Sequence, residues 1–214
     1  MERDITMGTK NDVKYWDEYY GNDHAPKPPS DFAKFALEHM QQGKQLIDLG
    51  CGNGRDSMFF ADSGLKVTAI DSSKGAIESF DKTVPIFAVC DDFIKTNALR
   101  CIEYNYCYAR WSIHAINKSQ QDELLPNIYQ ALKTGGLFFS ESRTINDVKY
   151  GQGNPLGEHE FFADNHYRRF LDPQAFLEQL KGIGFEIVHV EESDKFSVMG
   201  DDLPTLIRVI AKKA

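Results

Sequence analysis

Leu46-Ile47-Asp48-Leu49-Gly50-Cys51-Gly52-Asn53-Gly54-Arg55 is an apolar run, broken by one acid, that passes straight into three alternate glycines. A short apolar run of this kind reads as a buried strand. The residues after Gly54 read as a helix from about Arg55 through Phe60 and Ala61, closed by Ser63-Gly64. Glycines between a strand and a helix let the backbone approach a ligand closely and aim amide donors at it. Asp71 stands about twenty residues further on, at the tip of a second strand over Leu65 to Ile70, where a carboxylate can grip both hydroxyls of a ribose. Together the loop and the acid predict an adenosine-type cofactor.

The alternation continues outward on both sides. Ser30 or Asp31 caps a helix through Phe32, Phe35, Ala36, Leu37 and Met40, which Gly43 stops. Ser72 caps a helix with Ala76, Ile77 and Phe80, and Pro85 to Val89 makes a third strand. Tyr104 to Ala109 is a fourth strand, Gln120 to Leu132 a helix, and Gly136 to Ser140 a fifth strand. Asp172-Pro173 opens a helix that ends at Gly182 or Gly184, followed by strands over Phe185 to Val190 and Thr205 to Ala211. Strands alternating with helices predict parallel pairing and right-handed crossovers. Arg143 to Phe170 interrupts this with little periodicity and is read as a substrate lid or an inserted element.

The glycine pattern also sorts the cofactors. It is GxGxG, with Arg55 where the dinucleotide fingerprint GxGxxG needs its third glycine. Asp48, two residues before Gly50, is placed to organise the loop and to meet an ammonium group. NAD is therefore disfavoured against S-adenosylmethionine. The stretch from Asp48 to Gly54, Asp71, and Cys90-Asp91-Asp92-Phe93 resemble motifs I, II and III of class I S-adenosylmethionine-dependent methyltransferases.

The resemblance covers roughly residues 40 to 211. It implies an α/β, Rossmann-like three-layer sandwich whose seven-stranded, mostly parallel sheet has its last strand antiparallel beside the fifth. It implies a cofactor held by Asp48, Gly50, Cys51, Gly52, Asn53, Asp71 and Ser72. By the same resemblance Asp91 meets the adenine amino group, Asp92 adjoins it and Phe93 packs near the ring. For Asp91 and Asp92 the other reading is a solvated helix cap. The aromatic stretch Tyr15-Trp16-Asp17-Glu18-Tyr19-Tyr20 either folds over the cofactor through Trp16 and Tyr20, as in related enzymes, or docks on the core.

Strand ends of open α/β sheets point into the ligand crevice. Arg110 and His114, just past the fourth strand, are thereby placed for substrate or for the methionine carboxylate. Methyl transfer needs chiefly two reactants held in line. A hydroxyl acceptor gains from a base, for which His114 is the first candidate and Glu141 the second, with a purely structural role as the alternative for each. The long loop gathers Arg143, His166, Tyr167, Arg168 and Arg169, donors suited to an anionic acceptor such as a phosphorylated or acidic sugar. Arg168 and Arg169 otherwise pair with surface acids.

A net charge of −8 over 214 residues and a pI near 5.2 weigh against a nucleic-acid partner, which needs a clustered basic face. Cys51, Cys90, Cys101 and Cys107 lack metal-ligand spacing, so no metal is expected. The opening residues carry no apolar leader, and no stretch reaches the roughly 18 apolar residues of a spanning helix. The sequence thus predicts one cytoplasmic domain over residues 1–214, with 1–30 covering the cofactor and 143–170 as the substrate loop, working as a monomer or homodimer on a small molecule. An RNA or protein methyltransferase and a non-catalytic S-adenosylmethionine-binding module are the rival readings; the first is opposed by Arg110-Trp111-Ser112 standing where amino-methylating nucleic-acid enzymes carry Asn/Asp-Pro-Pro-Tyr/Phe.

Overall fold

The computed structural model describes residues 14–20, 26–164, 166–197 and 202–214. The reading of the opening residues, part of the proline loop and part of the connection between the closing strands lie outside these. Residues 14–20 form helix α1. Then follow α2 (Asp31–Leu37), β1 (Gln45–Leu49), α3 (Arg55–Asp62), β2 (Lys66–Asp71), α4 (Lys74–Glu78), β3 (Ile86–Cys90), α5 (Ala98–Cys101) and β4 (Tyr104–Arg110). A 3-10 turn (Ile113–Ala115) leads to α6 (Lys118–Ala131) and β5 (Leu132–Arg143). The chain ends with β6 (Asn154–Gly157), β7 (Glu160–Ala163), β8 (His166–Arg169), α7 (Pro173–Ile183), β9 (Phe185–Ser193) and β10 (Leu206–Lys213).

Seven strands form one sheet in the order β3-β2-β1-β4-β5-β10-β9. β1 to β5 pair in parallel, and β10 runs antiparallel between β5 and β9. The order reverses between β2-β1 and β1-β4, and this switch point opens a crevice at the strands' carboxyl ends. Helices cover both faces, so the strands are apolar on both. Leu46, Phe139 and Ile210 pack with Phe32 and Phe60 on one side. Their chain neighbours Ile47, Phe138 and Val209 pack with Leu124, Ile128 and Leu180 on the other. The period of two along each strand thus feeds two cores.

Local signals set the helix ends. Ser30 accepts from the Ala33 amide, Asn117 and Gln120 form a capping box, and Asp172 accepts from the Ala175 amide ahead of Pro173. Gly184, at φ 117°, ends α7 in a conformation that favours glycine. The cap of α4 is Ser73, whose hydroxyl accepts from Ala76, so the expected cap at Ser72 is off by one residue. α2 ends at Leu37, short of Met40, and β5 runs past Ser140 to Arg143 because β10 pairs with it from Leu137 to Arg143. The long loop is an inserted element: β6, β7 and β8 form a separate antiparallel sheet.

Candidate active site

A cavity of about 1120 Å³ opens at the switch point and is bounded by the carboxyl ends of β1, β2, β4 and β5, by α1, and by the inserted sheet. Its first half is built around the glycine loop. Gly50 and Gly52 sit at φ 75° and 55°, where a side chain is strained. A Cβ on Gly50 would strike Ser112, and one on Gly52 the ring of Tyr20. Asp71 accepts from the Gly52 amide at 2.8 Å and the Ser73 amide at 2.9 Å, one on each carboxylate oxygen. Burial pushes its pKa up against these two donors, and it borders the cavity.

Asp48 is buried and accepts from the Ser57 hydroxyl at 2.6 Å. Burial pushes its carboxyl up to about 8, with Asp56 and Asp71 adding to the rise and the Ser57 bond opposing it. Cys51 is a wall of the same half, and burial pushes its thiol up. Asn53 spends its side-chain amide on the Pro26 carbonyl, 3.0 Å away, and Arg55 reaches Pro28 at 3.2 Å. The proline loop is thereby laced over the glycine loop. Ser30 and Tyr108 both bond Asp56, at 2.7 and 2.9 Å, and fix the far side of the same wall.

α1 closes this half. Asp17 accepts from the Ser73 hydroxyl at 2.6 Å and the Gly75 amide at 3.2 Å, docking α1 on the start of α4. Trp16 and Tyr20 stack with centroids 5.9 Å apart and face the cavity. Ser72, Asp92 and Phe93 border it as well. Asp91 does not: its carboxylate accepts from the Asp92 amide and its own amide bonds the Asp71 carbonyl. Both carboxylates are used by the turn after β3, Asp92 accepting from the Ile94 amide at 3.0 Å, and of the two only Asp92 borders the cavity.

The second half is built from side-chain ion pairs. Glu141, 1% exposed, accepts from Arg208 Nε at 2.8 Å and from Trp111 Nε1 at 3.1 Å, and Arg110 Nε lies 3.0 Å from its Oε1. Trp111 is held at φ 60°, its ring flanked by the guanidinium groups of Arg110 and Arg143 at 4.8 and 5.3 Å. Arg143 bonds Asp147 at 2.8 Å and also Asp202, which Lys149 meets at 3.0 Å. His114 is 6% exposed, and its Nδ1 accepts from the Arg143 amide at 3.1 Å. Burial, Arg143, Arg168 and Arg169 hold its imidazole well below the ordinary histidine range.

Arg168 bonds His166 Nε2 at 3.0 Å, and the His166 ring stacks on Tyr15. These residues and Tyr167 border the cavity. Arg169 does not. Its guanidinium bonds the Ile116 carbonyl at 2.8 Å, the Ile113 carbonyl at 3.1 Å and Gln121, so it braces the turn carrying His114 from behind instead of facing the cavity. Ser112, Trp111, Lys149 and Asp202 were not singled out in the sequence. Ser112 and Trp111 were legible as neighbours of a strand end; Lys149 and Asp202 join the site only through long-range pairing. Among the described residues no three metal-ligating side chains converge, and no helix is long and apolar enough to cross a membrane.

This geometry has counterparts. Residues 22–190 match the family model described as a methyltransferase domain. The chain belongs to that family. It is 24% identical over 109 residues to an uncharacterized methyltransferase of Synechocystis, covering 50% of this chain and 51% of that one. It is 23% identical over 150 residues to a carboxy-S-adenosyl-L-methionine synthase of Pseudoalteromonas atlantica, covering 63% and 59%. The match thus spans between half and three-fifths of the length of these curated relatives. Among solved structures, the CcbJ methyltransferase of Streptomyces caelestis superposes with a TM-score of 0.72 at 16% identity, covering 96% of this chain and 99% of that one. The family's cofactor is S-adenosylmethionine, and the first half fits it: a glycine loop whose space side chains would fill, a buried acid at the end of β2, and aromatic cover.

Proposed function

We propose that this methyltransferase-family chain transfers a methyl group from S-adenosylmethionine to an oxygen of a small, anionic acceptor such as an acidic or phosphorylated sugar. The observation that carries the reading is the continuity of one cavity from Asp71 and the glycine loop to Arg143, Arg168 and His114. When bound, the sulfonium supplies an activated methyl group whose departure leaves a neutral thioether, so alignment provides most of the acceleration.

The chain's own residues supply that alignment. Asp71 holds the ribose and Asp48 faces the ammonium group. Trp16 and Tyr20 exclude water from above, while Arg143 and Arg168 attract and orient the acceptor. A small acceptor is favoured over nucleic acid by the net charge of −8.

Calorimetric titration with S-adenosylmethionine, S-adenosylhomocysteine and NAD tests the cofactor half. Binding of the first two but not of NAD is expected, with a loss on the order of 100-fold in Asp71→Ala, the cost of removing a charged hydrogen-bond acceptor. Folded protein that binds neither adenosyl ligand would sink the reading.

A further inference from the structure

The second half of the cavity is rich in cations, and its buried histidine is set up to donate. Because the Nδ1 of His114 accepts from the Arg143 amide, the neutral ring carries its proton on Nε2. The ring is thus a donor toward the cavity it borders. Three of the other acceptors nearby are held by donors or cations, while the carboxylates of Asp164 and Glu160 border the cavity from the inserted sheet. Glu141 is shared by Arg208, Trp111 and Arg110. His166 uses Nε2 on Arg168 and Nδ1 on the Asp164 carbonyl. Burial favours a protonated Asp202, but Arg143 and Lys149 outweigh it and hold the carboxyl below its ordinary range.

The charges are unevenly matched. Arg143 and Lys149 face Asp147 and Asp202, two cations against two anions. Arg169, 5% exposed, bonds only neutral oxygens, with Glu160 and Asp122 acting on it as more distant charges. Arg168, also buried, has Asp164 at 3.8 Å, and that carboxylate's side chain is 74% exposed, so water screens the pair. A buried guanidinium ordinarily has a carboxylate against it. Beside His114, Arg169 has none in contact among the described residues, and Arg168 has only this screened one.

We infer that the acceptor is the carboxylate of a small acid, and that His114 positions it by donating from Nε2 and takes no proton from it. This rests on the methyl-transfer reading above. A carboxylate is already ionised near neutral pH and needs no base. Its oxygen forms the new O–CH3 bond as the S–CH3 bond breaks, the electron pair stays on sulfur, and the products are a neutral ester and a thioether with no proton released. A hydroxyl acceptor would release one proton per turnover, and His114, whose Nδ1 is taken by the Arg143 amide, is not the base to receive it. A monoanion also suits a cavity to which one weakly compensated guanidinium, that of Arg168, is presented.

The test uses the full chain saturated with S-adenosylhomocysteine and three probe pairs: acetate and acetamide, benzoate and benzamide, glucuronate and glucuronamide. By calorimetry at least one acid should bind about tenfold more tightly than its amide, the difference that a charge-assisted hydrogen bond makes. That preference should vanish in Arg168→Met and His114→Leu, yet stay within about threefold in His114→Gln, which keeps a donor and has no basic nitrogen. Absence of acid preference in all three pairs overturns the inference. So does a His114 imidazole that, by nitrogen NMR, titrates near its ordinary value or carries its proton on Nδ1. If the folded protein fails to bind S-adenosylhomocysteine, methyl transfer itself is refuted, and the NMR result still judges the role of His114 separately.

Discussion

The two halves of the cavity are built by different means. The half under α1 is made largely of backbone: the glycine loop, a carboxylate that ties it to the turn after β2, and rings laid on top. The half under the inserted sheet is made of long charged side chains that chiefly hold one another. Backbone geometry is set by a few consecutive residues and suits a ligand shared by a whole family. Side-chain networks can be exchanged without disturbing the strands, and they suit an acceptor that differs from enzyme to enzyme.

The comparison breaks most visibly at Glu141. Glu141→Ala leaves Arg110 and Arg208 buried without their common partner, and a loss of about 3–5 kcal/mol in denaturant unfolding is expected. Removing the key acid of the backbone half, Asp71, should instead cost ligand affinity far more than stability. If Glu141→Ala unfolds at the wild-type midpoint, the second half is not held as described.

Asp48 tests the first half through pH. Burial raises its folded carboxyl to about 8, above its unfolded value of about 3.9, so the folded state binds the extra proton between these limits. Stability attributable to Asp48 is full below about pH 4, falls as pH rises, and levels off above about pH 8. Asp48→Asn keeps a partner for Ser57 and cannot ionise. Its thermal stability relative to wild type should therefore improve from pH 5 to 8, by on the order of 1 kcal/mol per pH unit. A constant difference across that range would show that Asp48 is ionised throughout.

The smallest effect is expected at Asp17. Asp17→Ala removes two hydrogen bonds that dock α1 on α4, about 1–2 kcal/mol of local stability. Hydrogen exchange should rise in residues 14–20, and S-adenosylhomocysteine should bind several-fold more weakly. Unchanged exchange there would mean that the aromatic stacking of α1 is sufficient by itself.

Legibility follows the same division. The strands and most helix ends were readable because apolar alternation and caps act over a few residues; the four-residue strands β6 to β8 were not, being too short for a period to emerge. Asp91 and Asp92 were indistinguishable in sequence, since either can close a turn. Arg169 and Arg168 differ by one position and alternate across β8, which sends one to the cavity and the other behind the His114 turn.

By itself the sequence determined the individual strands, the glycine loop and the place of the acid at Asp71, because each is set within about twenty-five neighbouring residues by backbone conformation and side-chain pattern. Tertiary structure alone decided which nitrogen of His114 carries the proton and whether Glu141 is free. The first depends on an amide 29 residues away, and the second on an arginine 67 residues away across an antiparallel pairing. A side chain's chemistry is set by the partners that packing brings to it, and those separations carry no local signal.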